Sequence, residues 1–183
     1  MCAPLAARNR NVGKATPVAS YHILTLRFAI TWLTTYGNDR MPRPIEYQHA
    51  SDDFDRFLCK VIEQTGLTTR NQAYTTVQGV FYAFRRRLTL KDAILFAGVL
   101  PPILRAIFVA DWDPDEPQVP FADRMTMTRE ALSLRKDHNF SPPTCIHDVS
   151  VALRDHVDET TFNRVLGSLP KAAAEFWSNT DSG

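Results

Sequence analysis

Apolar residues recur along most of this chain at the spacing of one helix face. Phe54, Leu58, Val61 and Ile62 fall at i, i+4, i+7 and i+8. They predict a first helix opened by Ser51, carrying Asp52 and Asp53 in its first turn and ended by Gly66. Thr69 with Gln72 has the capping-box pattern. The longest stripe follows it, through Ala73, Val77, Val80, Phe81, Phe84 and Leu88. Thr89 with Asp92 starts a third helix whose inner face is Ala93, Phe96, Ala97 and Leu100. Pro101-Pro102 stops that helix and suits the first turn of a fourth, lined by Ile103, Leu104, Ile107 and Phe108.

A second set of four helices is expected after a proline-stiffened linker, Asp111 to Pro120. Met127, Ala131 and Leu134 mark the fifth helix. Ser141-Pro142-Pro143 opens a sixth with Ile146, Val149 and Leu153 on one side. Asp158 caps a seventh with Phe162, Val165, Leu166 and Leu169. Pro170 opens the eighth, which buries Ala173, Phe176 and Trp177. No strand alternation competes with these assignments.

The two sets are one pattern written twice. Leu88 to Pro101 and Val157 to Pro170 correspond at a constant offset of 69 residues, which also carries Phe84-Arg85 onto Leu153-Arg154 and Phe108 onto Trp177. The fold class this implies is all-α, a compact array of about eight helices built from two imperfect four-helix repeats. Repeat one spans residues 51–112 and repeat two 123–177, with 178–183 a tail. A repeat of about 60 residues is marginal as an independent core, so one shared core around a pseudo-twofold axis is expected.

Residues 1–50 lack a sustained stripe and are punctuated by Pro4, Pro17, Pro42 and Pro44. They are read as a basic N-terminal extension, either poorly ordered or docking through a helix around Ile23–Thr34, and Met41 is a candidate for the true start. The net charge is +1, but the extension holds six Lys/Arg against Asp39 and Glu46, leaving 15 basic and 18 acidic residues in 51–183. So small a net charge gives no global attraction to nucleic acid or anionic lipid. The longest apolar stretch, Tyr21 to Thr35, is interrupted by Arg27 and is too short to cross a bilayer, so no membrane span is expected.

Candidate chemistry is sparse. Cys2, Cys59 and Cys145 show neither metal nor disulfide spacing and read as reduced thiols of a cytoplasm. Asp111, Asp113 and Asp115 suggest calcium, but the sixth and twelfth positions of such a loop hold Glu116 and Ala122 rather than Gly and Glu. His138, Cys145, His147 and His156 cluster with Asp137, Asp148 and Asp155, yet no pair has the i, i+4 spacing of a helical zinc site. No nucleophile elbow, glycine-rich phosphate loop or HExxH occurs. Catalytic, cofactor and metal residues are therefore expected to be absent.

A combination of phrases does resemble a known family. Phe54-Asp55-Arg56-Phe57-Leu58, Arg87-Leu88-Thr89, Leu100-Pro101-Pro102-Ile103-Leu104-Arg105 and Asp111-Trp112 are similar to the bacterial family catalogued as domain-of-unknown-function family 2267, over most of 51–177. The resemblance implies an all-helical bacterial domain, and it carries no activity, ligand or catalytic residue with it. This sequence departs from that pattern in its extension and in Lys171-Ala172-Ala173-Ala174, which stands where repeat one has Pro102-Ile103-Leu104-Arg105.

Three functions follow as expectations. The first is a non-enzymatic interaction or regulatory module of the cytoplasm, binding an unknown protein partner or a second copy. Its surface would be Tyr82, Trp112, Arg85, Arg86, Arg87 and Arg105, with Tyr82 turned outward because Phe81, Tyr82 and Phe84 cannot all face one core. Trp112 is expected to plug the core more than to stand free. The second is a small-molecule binder or enzyme with a pocket between the repeats, using Arg105, Asp92 or His147. The third is an anion or nucleic-acid binder on Arg85–Arg87 with Arg70 and Lys91, which lacks aromatic interleaving and a helix-turn-helix.

Overall fold

The computed structural model describes residues 44–178 except Lys136 and His138. The expectations placed on residues 1–43, including Met41 and the Ile23–Thr34 helix, lie outside the described residues. So do His138 and most of the tail. The unit that begins at Pro44 is compact, and among the described residues it contains nine helices and no strand.

A short α1 (Ile45–Gln48) precedes α2 (Ala50–Thr65), α3 (Arg70–Arg85), α4 (Leu90–Ala97) and α5 (Pro102–Val109). After the linker come α6 (Arg124–Ser133), α7 (Cys145–Arg154), α8 (Glu159–Ser168) and α9 (Lys171–Phe176). Four of the nine described helices open on a side-chain cap. Thr69 closes a full capping box with Gln72. Thr89, Asp123 and Asp158 each accept the main-chain N–H of the third residue on, at 3.1, 2.9 and 2.8 Å. Hydrogen bonds from the Thr126 and Thr161 side chains, and then those main-chain bonds, hold the Asp123 and Asp158 carboxyls below the usual range, because they favour the charged form.

The start of α2 corrects the sequence reading. The helix begins at Ala50 with no side-chain cap, so Ser51 lies inside it. The reason is α1: its carbonyls carry the ladder forward, His49 N–H donating to Ile45 and Asp53 N–H to His49. A helix fed by a preceding turn does not need a serine to open it. At the other end, Gly66 takes φ 69° and closes α2 in the left-handed conformation. Arg135, its counterpart 69 residues on, takes φ 53°.

The offset maps α2, α3, α4 and α5 onto α6, α7, α8 and α9. Packing is crosswise: α2 lies against α7, and α3 against α6. The repeat operation exchanges these two pairs, which is the signature of a pseudo-twofold arrangement. Helices α3 and α7 meet in the middle, and α4 meets α8. The core is single and draws on both repeats. At its centre Trp177, fully buried, lies stacked on Phe96 at 5.4 Å and edge-on to Phe84 at 5.3 Å, with Phe108, Phe162 and Phe176 around them. Burial of this many rings in one cluster is the main source of cohesion. The stripes read from sequence lie on the buried faces, which also take in Ala83, Cys145 and Ala152. Phe57, absent from the predicted stripe, is buried while Phe54 is only partly so.

Candidate functional site

The arginine run at the end of α3 is mostly internal. Arg85 is buried and donates from one terminal nitrogen to the carbonyls of Phe108 and Ala110, at 2.6 and 2.9 Å. It thereby closes the C-terminus of α5, where carbonyls lack helical partners. Burial draws its pKa down, partly offset by Glu116, Tyr82 and Asp111; a guanidinium still keeps its charge. Its positive face covers Trp112 at 5.5 Å, and Trp112 is half-buried against the core. Arg87 is buried, bonds back to the Ala83 carbonyl, and makes a two-pronged pair with Glu130 of α6 at 2.8 and 2.9 Å. Arg86 spans Tyr82, Glu116 and Glu130, and it lies over the Tyr82 ring at 5.1 Å, leaving that tyrosine half-buried. Arg105 donates to the Ala97 and Leu100 carbonyls across the α4–α5 turn. Of the six residues expected on an interaction surface, Arg85 and Arg87 therefore face inward, and the other four are partly covered.

Repeat two reproduces this plan. Arg154 of α7 donates to the Trp177 carbonyl at 3.1 Å, as Arg85 does to Phe108. The counterpart of Arg87 is His156. Its Nδ1 lies 2.8 Å from the Ala152 carbonyl, the counterpart of Ala83. A carbonyl only accepts, so Nδ1 carries the proton, and in the neutral ring Nε2 is left as an acceptor. The ring stands edge-on to Phe57 at 5.5 Å.

Beside His156 lies a groove of about 530 Å³. Its apolar surface comes from Phe54 and Phe57 of α2 and from Ile103 and Leu104 of α5; its far wall is the α7–α8 turn, Asp155 to Val157. Both repeats contribute to it. The charged groups there are paired: Arg56 with Asp53, and Lys60 with Glu63 at 3.1 Å and Asp155 at 3.6 Å. Arg105, Asp92 and His147 do not line it. Asp92 accepts the Thr89 hydroxyl, Arg105 holds the α4–α5 turn, and His147 is half-buried on α7.

The other candidates are separate. Asp113 accepts the Asp115 N–H in a local turn. Among the described residues no three His, Cys, Asp or Glu side chains come together as metal ligands. Cys59 is exposed, Cys145 is buried, and neither is disulfide-bonded. Among the described residues no helix is long and apolar enough to cross a membrane.

One surface element stands out against its counterpart. On α4, Leu90, Ile94 and Leu95 are 52%, 61% and 41% exposed. The equivalent positions of α8 are Glu159, Asn163 and Arg164. Exposed Gly98 extends the Leu90–Ile94 line by one more turn.

The sequence model of the family described as "Uncharacterized conserved protein (DUF2267)" matches residues 54–176, from Phe54 of α2 to the end of α9. The chain belongs to the DUF2267 family. No curated protein matches the sequence. The DUF2267 region takes in the aromatic core except Trp177, the outer face of α4 and nearly all of the groove. The groove residues Phe57, Ile103 and His156 escaped sequence reasoning as a site, although the offset pairing Arg85 with Arg154 also pairs Arg87 with His156. That second pairing was the available signal for them.

Proposed function

We propose that this DUF2267 chain is a non-enzymatic interaction module that docks an amphipathic helix of a partner protein onto the outer face of α4. The observation that carries the reading is the contrast between the repeats. At one fold position α8 is polar, as a solvated helix should be, while α4 presents Leu90, Ile94 and Leu95. Exposed apolar side chains in a contiguous line mark contact sites more than isolated ones do. Their spacing, with Leu90, Ile94 and Gly98 at i, i+4 and i+8, is that of a ridge which fits between the side chains of a second helix, and Gly98 admits close approach. A bacterial cytoplasm is the setting proposed for it, in keeping with unpaired Cys59 and Cys145.

The test is a photo-crosslinking residue placed at Ile94 and, as control, at Asn163, in the source cell. Adducts to a helical segment of one partner at position 94, absent at 163, are expected. Identical adducts at both positions, or none at 94, overturn the reading.

A further inference from the structure

We propose that the groove between α2, α5 and the α7–α8 turn binds an extended, electrically neutral peptide segment of another protein. This rests on the groove alone and is independent of the α4 face.

The argument comes from the equivalent place in the other repeat, which the chain fills itself. The turn Asp155-His156 corresponds to Arg86-Arg87. Past Arg86-Arg87 runs the chain's own stretch from Pro117 to Phe121, outside any helix. Val119 donates its main-chain N–H to the Arg86 carbonyl at 3.0 Å, and Gln118 donates its side-chain N–H to the Arg87 carbonyl at 2.8 Å. Phe121 then packs towards Phe84, 6.3 Å between ring centres. On the other side, the carbonyls of Asp155 and His156 accept no hydrogen bond among the described residues.

The difference has a local cause. Residues 117–121 correspond to 48–52, where the main chain is almost entirely helical. Helix α2 starts at Ala50, whereas the start of α6 at Arg124 corresponds to position 55. The segment that threads one site is wound into helix beside the other, and the groove is what remains.

The occupant's chemistry follows. It needs a main-chain N–H and a second donor for the two carbonyls, and an apolar residue for the surface of Phe54, Phe57 and Ile103. The pairing of Arg56 with Asp53 and of Lys60 with Asp155 leaves no unmatched charge to attract an ion. Prolines such as Pro117 and Pro120 pre-extend a segment and reduce its ordering cost, which suits this mode of binding.

The chain's own sequence supplies the probe. A fluorescent, end-blocked peptide of residues 117–122 is titrated with the full chain and followed by anisotropy. Saturable binding is expected, weakened at least tenfold by Ile103→Glu, and weakened likewise when the valine nitrogen of the peptide is methylated. The methylated peptide keeps the test intact if Ile103→Glu does not fold. Absence of saturable binding overturns the proposal. So does binding that ignores both changes, which would place the peptide elsewhere. So does a compound extracted from the folded protein that occupies the groove and that the peptide fails to displace, since the site would then be one for a small molecule.

Discussion

Arg85 and Arg154 stand 69 residues apart and do the same work: each reaches from the last residue of its helix to the carbonyl near the end of its own repeat, Phe108 at 2.6 Å and Trp177 at 3.1 Å. Arg85 also holds Ala110 and is buried, whereas the Arg154 side chain keeps 19% of its surface exposed and bonds Asn163 as well. Arg85→Met leaves the buried Phe108 carbonyl and the partly exposed Ala110 carbonyl without this donor and should cost about 1–3 kcal/mol. Arg154→Met should cost less, because water reaches its site. Urea denaturation of both variants measures the difference, and an equal or reversed order contradicts it.

The pair Arg87–Glu130 makes stability depend on pH. Bonding to Arg87 holds the Glu130 carboxyl below its ordinary 4.5, against a smaller opposing effect of burial. A carboxyl whose folded pKa is depressed contributes stability above the unfolded value, and that contribution fades as pH falls through the folded one. The wild type should therefore lose stability on acidification below about pH 4.5 more steeply than Glu130→Gln. Thermal melts between pH 3 and pH 7 check the slopes; parallel curves would remove Glu130 from the account.

Two glycines should respond oppositely to alanine. A Cβ on Gly79 of α3 would sit 2.3 Å from the Ala131 carbonyl oxygen of α6, a main-chain atom that cannot swing away. Gly79→Ala forces the crossing apart and should destabilise by about 1–3 kcal/mol. Gly167 on α8 has nothing within 4 Å of a new Cβ, so Gly167→Ala should stabilise by about 0.5–1 kcal/mol through helix propensity. Equilibrium unfolding of the pair settles both signs.

Cys145 should report global unfolding. Burial, with Asp148 nearby, pushes its thiol up to about 12. In a Cys2→Ser, Cys59→Ser background, a thiol reagent at pH 8 should react with it only at the rate at which the core opens. Labelling as fast as that of a free thiol would show the α7 face to be open.

Much of the fold was legible because two independent signals agreed. The stripes named the inward faces, and the constant offset tied Thr89 to Asp158 and Phe108 to Trp177, so caps and core were read twice. What escaped had no signature in hydropathy. Arginine reads as surface by type, yet Arg85 and Arg87 lie inside, because an orphan helix-end carbonyl needs a long, multidentate donor and apolar residues have none. The groove was hidden for another reason. It depends on where α2 begins, and Ser51-Asp52-Asp53 mimics a start that α1 renders unnecessary.

The crosswise packing of α2 on α7 and α3 on α6 has a consequence for what the halves are. Cutting the chain between Pro114 and Pro117 would not release two small domains, because the cut would divide the core itself. Each fragment would carry one side of the α2–α7, α3–α6 and α3–α7 crossings and expose its rings to water. The molecule is organised as a dimer whose two subunits have been fused head to tail: the short tether replaces a bimolecular encounter with an intramolecular one, and dilution cannot separate the partners.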